Sequence, residues 1–175
     1  MPYLGRRISP DQWELPPDFL PAEVPADLLA GRNNKKELQT LRNCLSFWES
    51  SASPEEALDR AALALASNAE RLDTVTVVWI DKAALEKEGI EFSPSRGDTK
   101  VADLVPWHRD AMRLDAFRLA KVASALAAAV RGEGQLRTLT LQEVRGLLRG
   151  AIEAGRVRAE NLKTGLREAL QSQPR

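Results

Sequence analysis

Thr74-Val75-Thr76-Val77-Val78-Trp79-Ile80 is the stretch that decides the fold class. Every residue in it is β-branched or aromatic, and Asp73 and Asp81 bound it, which predicts a strand. Apolar side chains stand on both parities, so both faces of this strand are covered. The chain therefore contains a sheet, and its width depends on what flanks this segment.

Downstream, Asp81 reads as the cap of a short helix ending near Gly89, and Ile90–Phe92 as a second short strand. A polar loop follows, with Gly97 between Ser95 and Lys100, and reads as a mobile surface loop. Pro106–Arg131 reads as the longest helix. Met112, Ala116, Leu119, Ala123, Leu126 and Val130 alternate spacings of four and three, Phe117 widens that stripe, and Gly132 and Gly134 end it. Leu136–Leu139 is a possible third strand. Thr140-Leu141-Gln142-Glu143 is a capping box, with Leu139 and Val144 placed as a hydrophobic staple. Its helix stops at Gly155, and a last helix spans about Ala159–Gln171.

Upstream, Ser53-Pro54-Glu55-Glu56 is a start signal: a serine cap, proline at the first helical position, and Glu56 to close a capping box. That helix runs to about Leu72. Leu38, Leu41, Leu45 and Trp48 follow a helical stripe, which predicts another helix from Asn34 to about Ser50. Residues 1–33 hold six of the ten prolines, which disfavours a long helix or a central strand there. They read as an extended arm that packs apolar anchors on the domain formed by residues 34–175. The expected fold class is mainly α, or α+β with five to six helices and a small sheet of two or three short strands.

Composition limits the function classes. The 175 residues carry 25 basic and 25 acidic side chains, which argues against a nucleic-acid coat or an acidic tail. One cysteine, Cys44, excludes a disulfide framework, and one histidine, His108, excludes multi-histidine metal sites. The longest uncharged runs, Ala61–Ala69 and Val122–Val130, fall far short of the roughly 20 apolar residues of a membrane span. The expectation is a cytosolic protein with no cofactor, no metal and no membrane partner. Its Ala, Arg and Leu content fits a GC-rich bacterial genome.

Three constellations carry chemical meaning. His108 lies in Trp107-His108-Arg109-Asp110, where a histidine beside a carboxylate is a candidate general base, or a buried ring making one local hydrogen bond. No nucleophile motif is tied to it, and a Cys44–His108 dyad is possible only in space. Residues 131–175 hold nine basic and five acidic residues, and Arg145, Arg149, Arg156 and Arg158 mark a candidate nucleic-acid face on a helix pair. The apolar positions of that pair miss the helix-turn-helix register. Finally, Trp13, Phe19, Trp48 and Trp107 stand at element ends or on the arm, where tryptophan serves as an interface anchor or closes a core. There is no phosphate-binding glycine loop. The function expected is a non-catalytic module that binds another protein or a second copy of itself. The alternatives are nucleic-acid binding through the arginines and a small enzyme centred on His108.

Overall fold

The computed structural model describes residues 2–10, 13, 38–132 and 134–172. Phe19 and most of the proline-rich arm lie outside the described residues. The described elements run β1 (Tyr3–Arg7), β2 (Leu45–Ser50), α1 (Pro54–Asn68), β3 (Val75–Asp81), α2 (Lys82–Lys87) and β4 (Glu91–Pro94). A 3-10 turn (Ala102–Trp107) leads into β5 (His108–Met112), α3 (Ala116–Arg131), β6 (Leu136–Leu139) and α4 (Leu141–Glu153). A second 3-10 turn (Ala159–Asn161) precedes α5 (Thr164–Gln171).

The six strands form one sheet in the order β4-β5-β2-β1-β3-β6, with every pairing antiparallel. This corrects the expected fold class. The molecule is α+β with a six-stranded sheet, neither mainly α nor built on two or three short strands. The predicted strands β3, β4 and β6 are present. The three that the sequence does not announce, β1, β2 and β5, lie in the interior of the sheet.

Each difference has a local cause. Of the helix expected over Asn34–Ser50, residues 34–37 lie outside the described residues and the last six form β2, because Leu45 and Phe47 enter one core and Trp48 the other, which is strand alternation. Before it, Leu41 and Cys44 exchange backbone hydrogen bonds of 3.2 and 3.1 Å around Arg42 and Asn43. Both central residues have positive φ, 55° and 59°, the mark of a type I′ hairpin turn. The helix expected from Pro106 starts only at Ala116. Asp115 is the true cap, its carboxylate accepting from the Arg118 N–H at 2.8 Å, and the residues before it pair as β5. The last helix begins at Thr164 rather than Ala159.

Arginine lacks the short polar side chain that eases the left-handed conformation at Arg42. Arg42→Asn is therefore expected to raise stability by about 0.5–1 kcal/mol. A shift of the urea midpoint upward, with an unchanged slope, checks it.

Other local signals hold. Ser53 caps α1, Asp81 caps α2, and Thr140 with Glu143 forms the reciprocal capping box of α4. At α1 the box stays open. The Ser53 N–H donates to Ser50 Oγ, and the Glu56 carboxylate instead binds the Ser50 hydroxyl and Arg60.

The sheet is covered on both faces. One face packs against α1, α4 and α5 through Val77, Trp48, Ala61, Leu148 and Leu166. The other packs against α3 through Leu4, Phe47, Val78, Ile80 and Leu126, with Trp13 and Leu38 in the same cluster. Gly5 of the central strand β1 lies directly beneath α1. A Cβ there would sit 2.2 Å from the Ala57 carbonyl oxygen. Among the described residues no helix is long and apolar enough to cross a membrane.

Candidate functional site

His108 opens β5 opposite Trp48 of β2, and the two rings meet edge to face at 4.7 Å. The imidazole is 3% exposed. Ser95, just past β4, extends the β4–β5 ladder by donating its N–H to the His108 carbonyl, and its hydroxyl lies 2.5 Å from Nδ1. Gly97 has φ +65° and packs on the ring so closely that a Cβ would fall 2.5 Å from Cδ2. The Ser95–Lys100 loop is not the free surface loop that its polar sequence suggests. It is tied to the end of α1, since Asn68 Nδ2 donates to Asp98, Ser67 Oγ meets Thr99 Oγ1, and the Lys100 N–H donates to Ser67 Oγ.

Asp110 is the second polar neighbour of His108. Its carboxylate accepts from Ser46 Oγ at 2.9 Å and stands 3.9 Å from His108 Nδ1. Ser95 and Asp110 thus converge on the same ring nitrogen. A relay for acyl transfer needs the nucleophile on one nitrogen and the carboxylate on the other. The cluster has a triad's composition without its connectivity.

Burial pushes the His108 pKa below its ordinary value of 6.5, and the Asp110 charge opposes that shift without cancelling it. The unfolded chain takes up a proton near pH 6.5 that the folded chain refuses. The contribution to stability is therefore complete above pH 6.5 and is lost as pH falls from there through the folded value. Because the chain has a single histidine, its ring-proton resonance titrates alone. The midpoint is expected below 6.5, and stability is expected to fall between pH 7 and pH 5. A midpoint at or above 6.5 would contradict both.

Cys44 is not part of this cluster. Its sulfur contacts Met112 Sδ at 3.5 Å, at the opposite end of β5 from His108. Met112 and His108 are four residue steps apart along β5, about 13 Å at 3.3 Å per residue. Among the described residues no group of three or more His, Cys, Asp or Glu side chains is placed to hold a metal ion.

A second polar cluster is not visible in the sequence. Glu49 of β2 is buried, and its carboxylate meets Lys82 Nζ at 2.8 Å and Arg109 Nε at 2.6 Å. Its backbone carbonyl accepts from Arg60 Nη1 at 2.6 Å. The same Arg60 lies over the Trp107 ring at 3.7 Å and pairs with Glu56. Two cations close on one carboxylate from neighbouring elements, and the arrangement staples α2, β2 and β5.

The other residues singled out from the sequence are dispersed. Trp13 and Trp48 are buried in the two cores, and Trp107 is half-buried under Arg60, so these three offer little or no free surface. Arg149 donates to the Leu170 carbonyl and Arg156 pairs with Asp103, so two of the four candidate nucleic-acid arginines are engaged within the chain. Arg158 is exposed, and Arg145 is half-buried.

The large exposed apolar side chains lie elsewhere. Leu41 on the type I′ turn is 80% exposed, Phe117 in the first turn of α3 is 71% exposed, and Leu141 at the start of α4 is 49% exposed. The Leu114 N–H donates to the Asn43 carbonyl at 2.9 Å, which ties the first two segments together at one end of the sheet. Arg113 between them also has positive φ, 52°. By spacing alone Leu41 belongs to a helical stripe and Phe117 widens one, and nothing in that spacing marks them as exposed. Compared with known proteins, the chain matches no family model, no curated protein and no solved structure.

Proposed function

We propose that this chain is a cytosolic, non-catalytic module that binds another protein through the end of the sheet carrying Leu41 and Phe117. The observation that carries the reading is their joint exposure on segments hydrogen-bonded to each other. Leu41 is held in water and Phe117 has only Lys121 Nζ over its ring at 4.8 Å, which is a cost to a monomer, and exposed apolar surface of this kind marks association sites. Three non-glycine residues with positive φ, Arg42, Asn43 and Arg113, hold the same end in shape. Backbone strain of that kind clusters where function fixes a conformation.

The surrounding charge gives the partner its chemistry. Arg42 makes no ion pair among the described residues, and Arg113 has only a 3.5 Å contact with Glu91. A complementary surface offers an apolar side chain flanked by carboxylates, and arginine with aromatic residues is the composition enriched in interface hot spots. The reading accounts for the internal use of His108, Glu49 and two of the candidate arginines without requiring any of them at the interface.

The experiment places a photo-crosslinking phenylalanine analogue at position 117 in the native host. The crosslinked protein is then identified and purified for titration. Leu41→Ser with Phe117→Ser is expected to weaken that purified complex by about 100-fold, two hot spots of some 1.4 kcal/mol each. Arg149→Ala with Arg158→Ala is expected to leave it unchanged. An unaltered affinity in the first variant sinks the proposal. A dimer that the same substitutions dissolve would make the partner a second copy.

A further inference from the structure

On the face of the sheet opposite α3, a half-open cavity of about 240 Å³ sits where the end of α1 meets β1, β3, α4 and α5. Its floor is apolar, with Ala66, Val144 and Leu166 buried and Val75 half-buried. Its rim carries two exposed guanidinium groups, Arg7 and Arg71. Among the described residues neither side chain makes an ion pair or a hydrogen bond. The two acidic side chains at the rim are already engaged. Glu70 is paired with Lys163, and Asp73 accepts from the Thr74 N–H at 2.8 Å. The four charged lining residues balance, and because Lys163 from outside the lining neutralises Glu70, the two guanidinium groups face Asp73 alone.

From this geometry we infer a binding site for a small organic carboxylate with a short apolar body. The apolar floor takes the body. The guanidinium forks at the rim take the carboxylate, for which their planar pairs of donors are matched. The volume sets the size: 240 Å³ is the share of about eight waters at 30 Å³ each, below the usual range for drug-sized ligands. A chain of six to eight carbons fills it. A cation is disfavoured by the two guanidinium groups, unpaired among the described residues, and a neutral amphiphile offers them no charge. The inference is independent of the protein-binding surface, which lies by α3 on the other face.

Sodium octanoate is the probe, followed by amide shifts of the isotope-labelled full chain. Shifts confined to the cavity segments are expected, with a dissociation constant of about 0.1–1 mM, the range that ten non-hydrogen atoms reach at ordinary ligand efficiency. Octanol is expected to bind at least tenfold more weakly, and octylamine not to bind there. Arg7→Gln with Arg71→Gln changes only exposed side chains and is expected to keep the fold. It is expected to weaken octanoate at least tenfold while leaving octanol unchanged. Equal binding of octanoate and octanol would reduce the site to an apolar crevice and overturn the inference. So would the absence of localised shifts at 10 mM octanoate.

Discussion

Replacing Gly5 by alanine is expected to destabilise the fold by about 3 kcal/mol or more, a large share of the roughly 5–15 kcal/mol that holds a domain of this kind. In a strand that exchange ordinarily gains stability, because alanine has less backbone freedom to lose. Here the new methyl would meet the Ala57 carbonyl oxygen at 2.2 Å and its carbon at 2.8 Å. Those are backbone atoms of α1 and cannot rotate away. The helix must lift from the central strand, and the contacts of Ala57 and Ala61 go with it. Gly146 on α4 is the matched control. Nothing lies within 4 Å of the place a methyl would take there, and alanine should gain up to about 1 kcal/mol. Urea titrations of the two variants should move in opposite directions. A Gly5→Ala protein as stable as the parent would mean that α1 does not rest on β1 as described.

Glu49→Ala is the second large effect expected, a loss of about 3 kcal/mol at neutral pH. Removing one partner of a buried ion pair typically costs about 3–5 kcal/mol, because the remaining charge keeps its desolvation penalty. Lys82 and Arg109 would both be left facing the vacancy, each with a side chain 16% exposed. The lower figure applies because each has a fallback. Lys82 has Glu86 at 3.7 Å, and Arg109 donates to the carbonyls of Pro106 and His108. Replacing Glu49, Lys82 and Arg109 together by methionine should recover most of the loss, since no charge is then stranded. Thermal denaturation of the single and triple variants at one pH separates the two terms. A Glu49→Ala protein within 1 kcal/mol of the parent would show that the cations find water as easily as they find the carboxylate.

The same residues explain what can be read from the chain alone. β3 is legible because it is apolar on both faces by itself, and the caps at Ser53, Asp81 and Thr140 are legible because a cap and its recipient N–H lie within three residues. β2 and β5 are not, because their polar side chains are satisfied across the register rather than along the chain. Ser46 bonds Asp110, and Glu49 bonds Arg109. Read singly, each strand looks too polar for a sheet interior, and the spacing of Leu38, Leu41, Leu45 and Trp48 mimics a helix. β1 is hidden between Pro2 and Pro10, which bracket the strand without interrupting it.

Of the site, His108 stands out by rarity alone. Its partner Ser95 is set by the β4–β5 pairing, which no local pattern announces. Leu41 and Phe117 escape a reading of the chain because exposure is a property of the assembled fold.

Tyr3–Arg7 is made early in the chain, yet both of its neighbours in the sheet come dozens of residues later, with Gly5 opposite Trp48 on one side and Trp79 on the other. During synthesis one edge of this strand must wait for β2, and the other stays open until β3 has left the ribosome. The sheet cannot grow outward from a local hairpin at its centre. Pairings so distant in sequence place a protein among slow folders, on the scale of milliseconds to seconds. Throughout that interval an unpaired edge at the centre of the sheet is open to chaperones and to wrong partners.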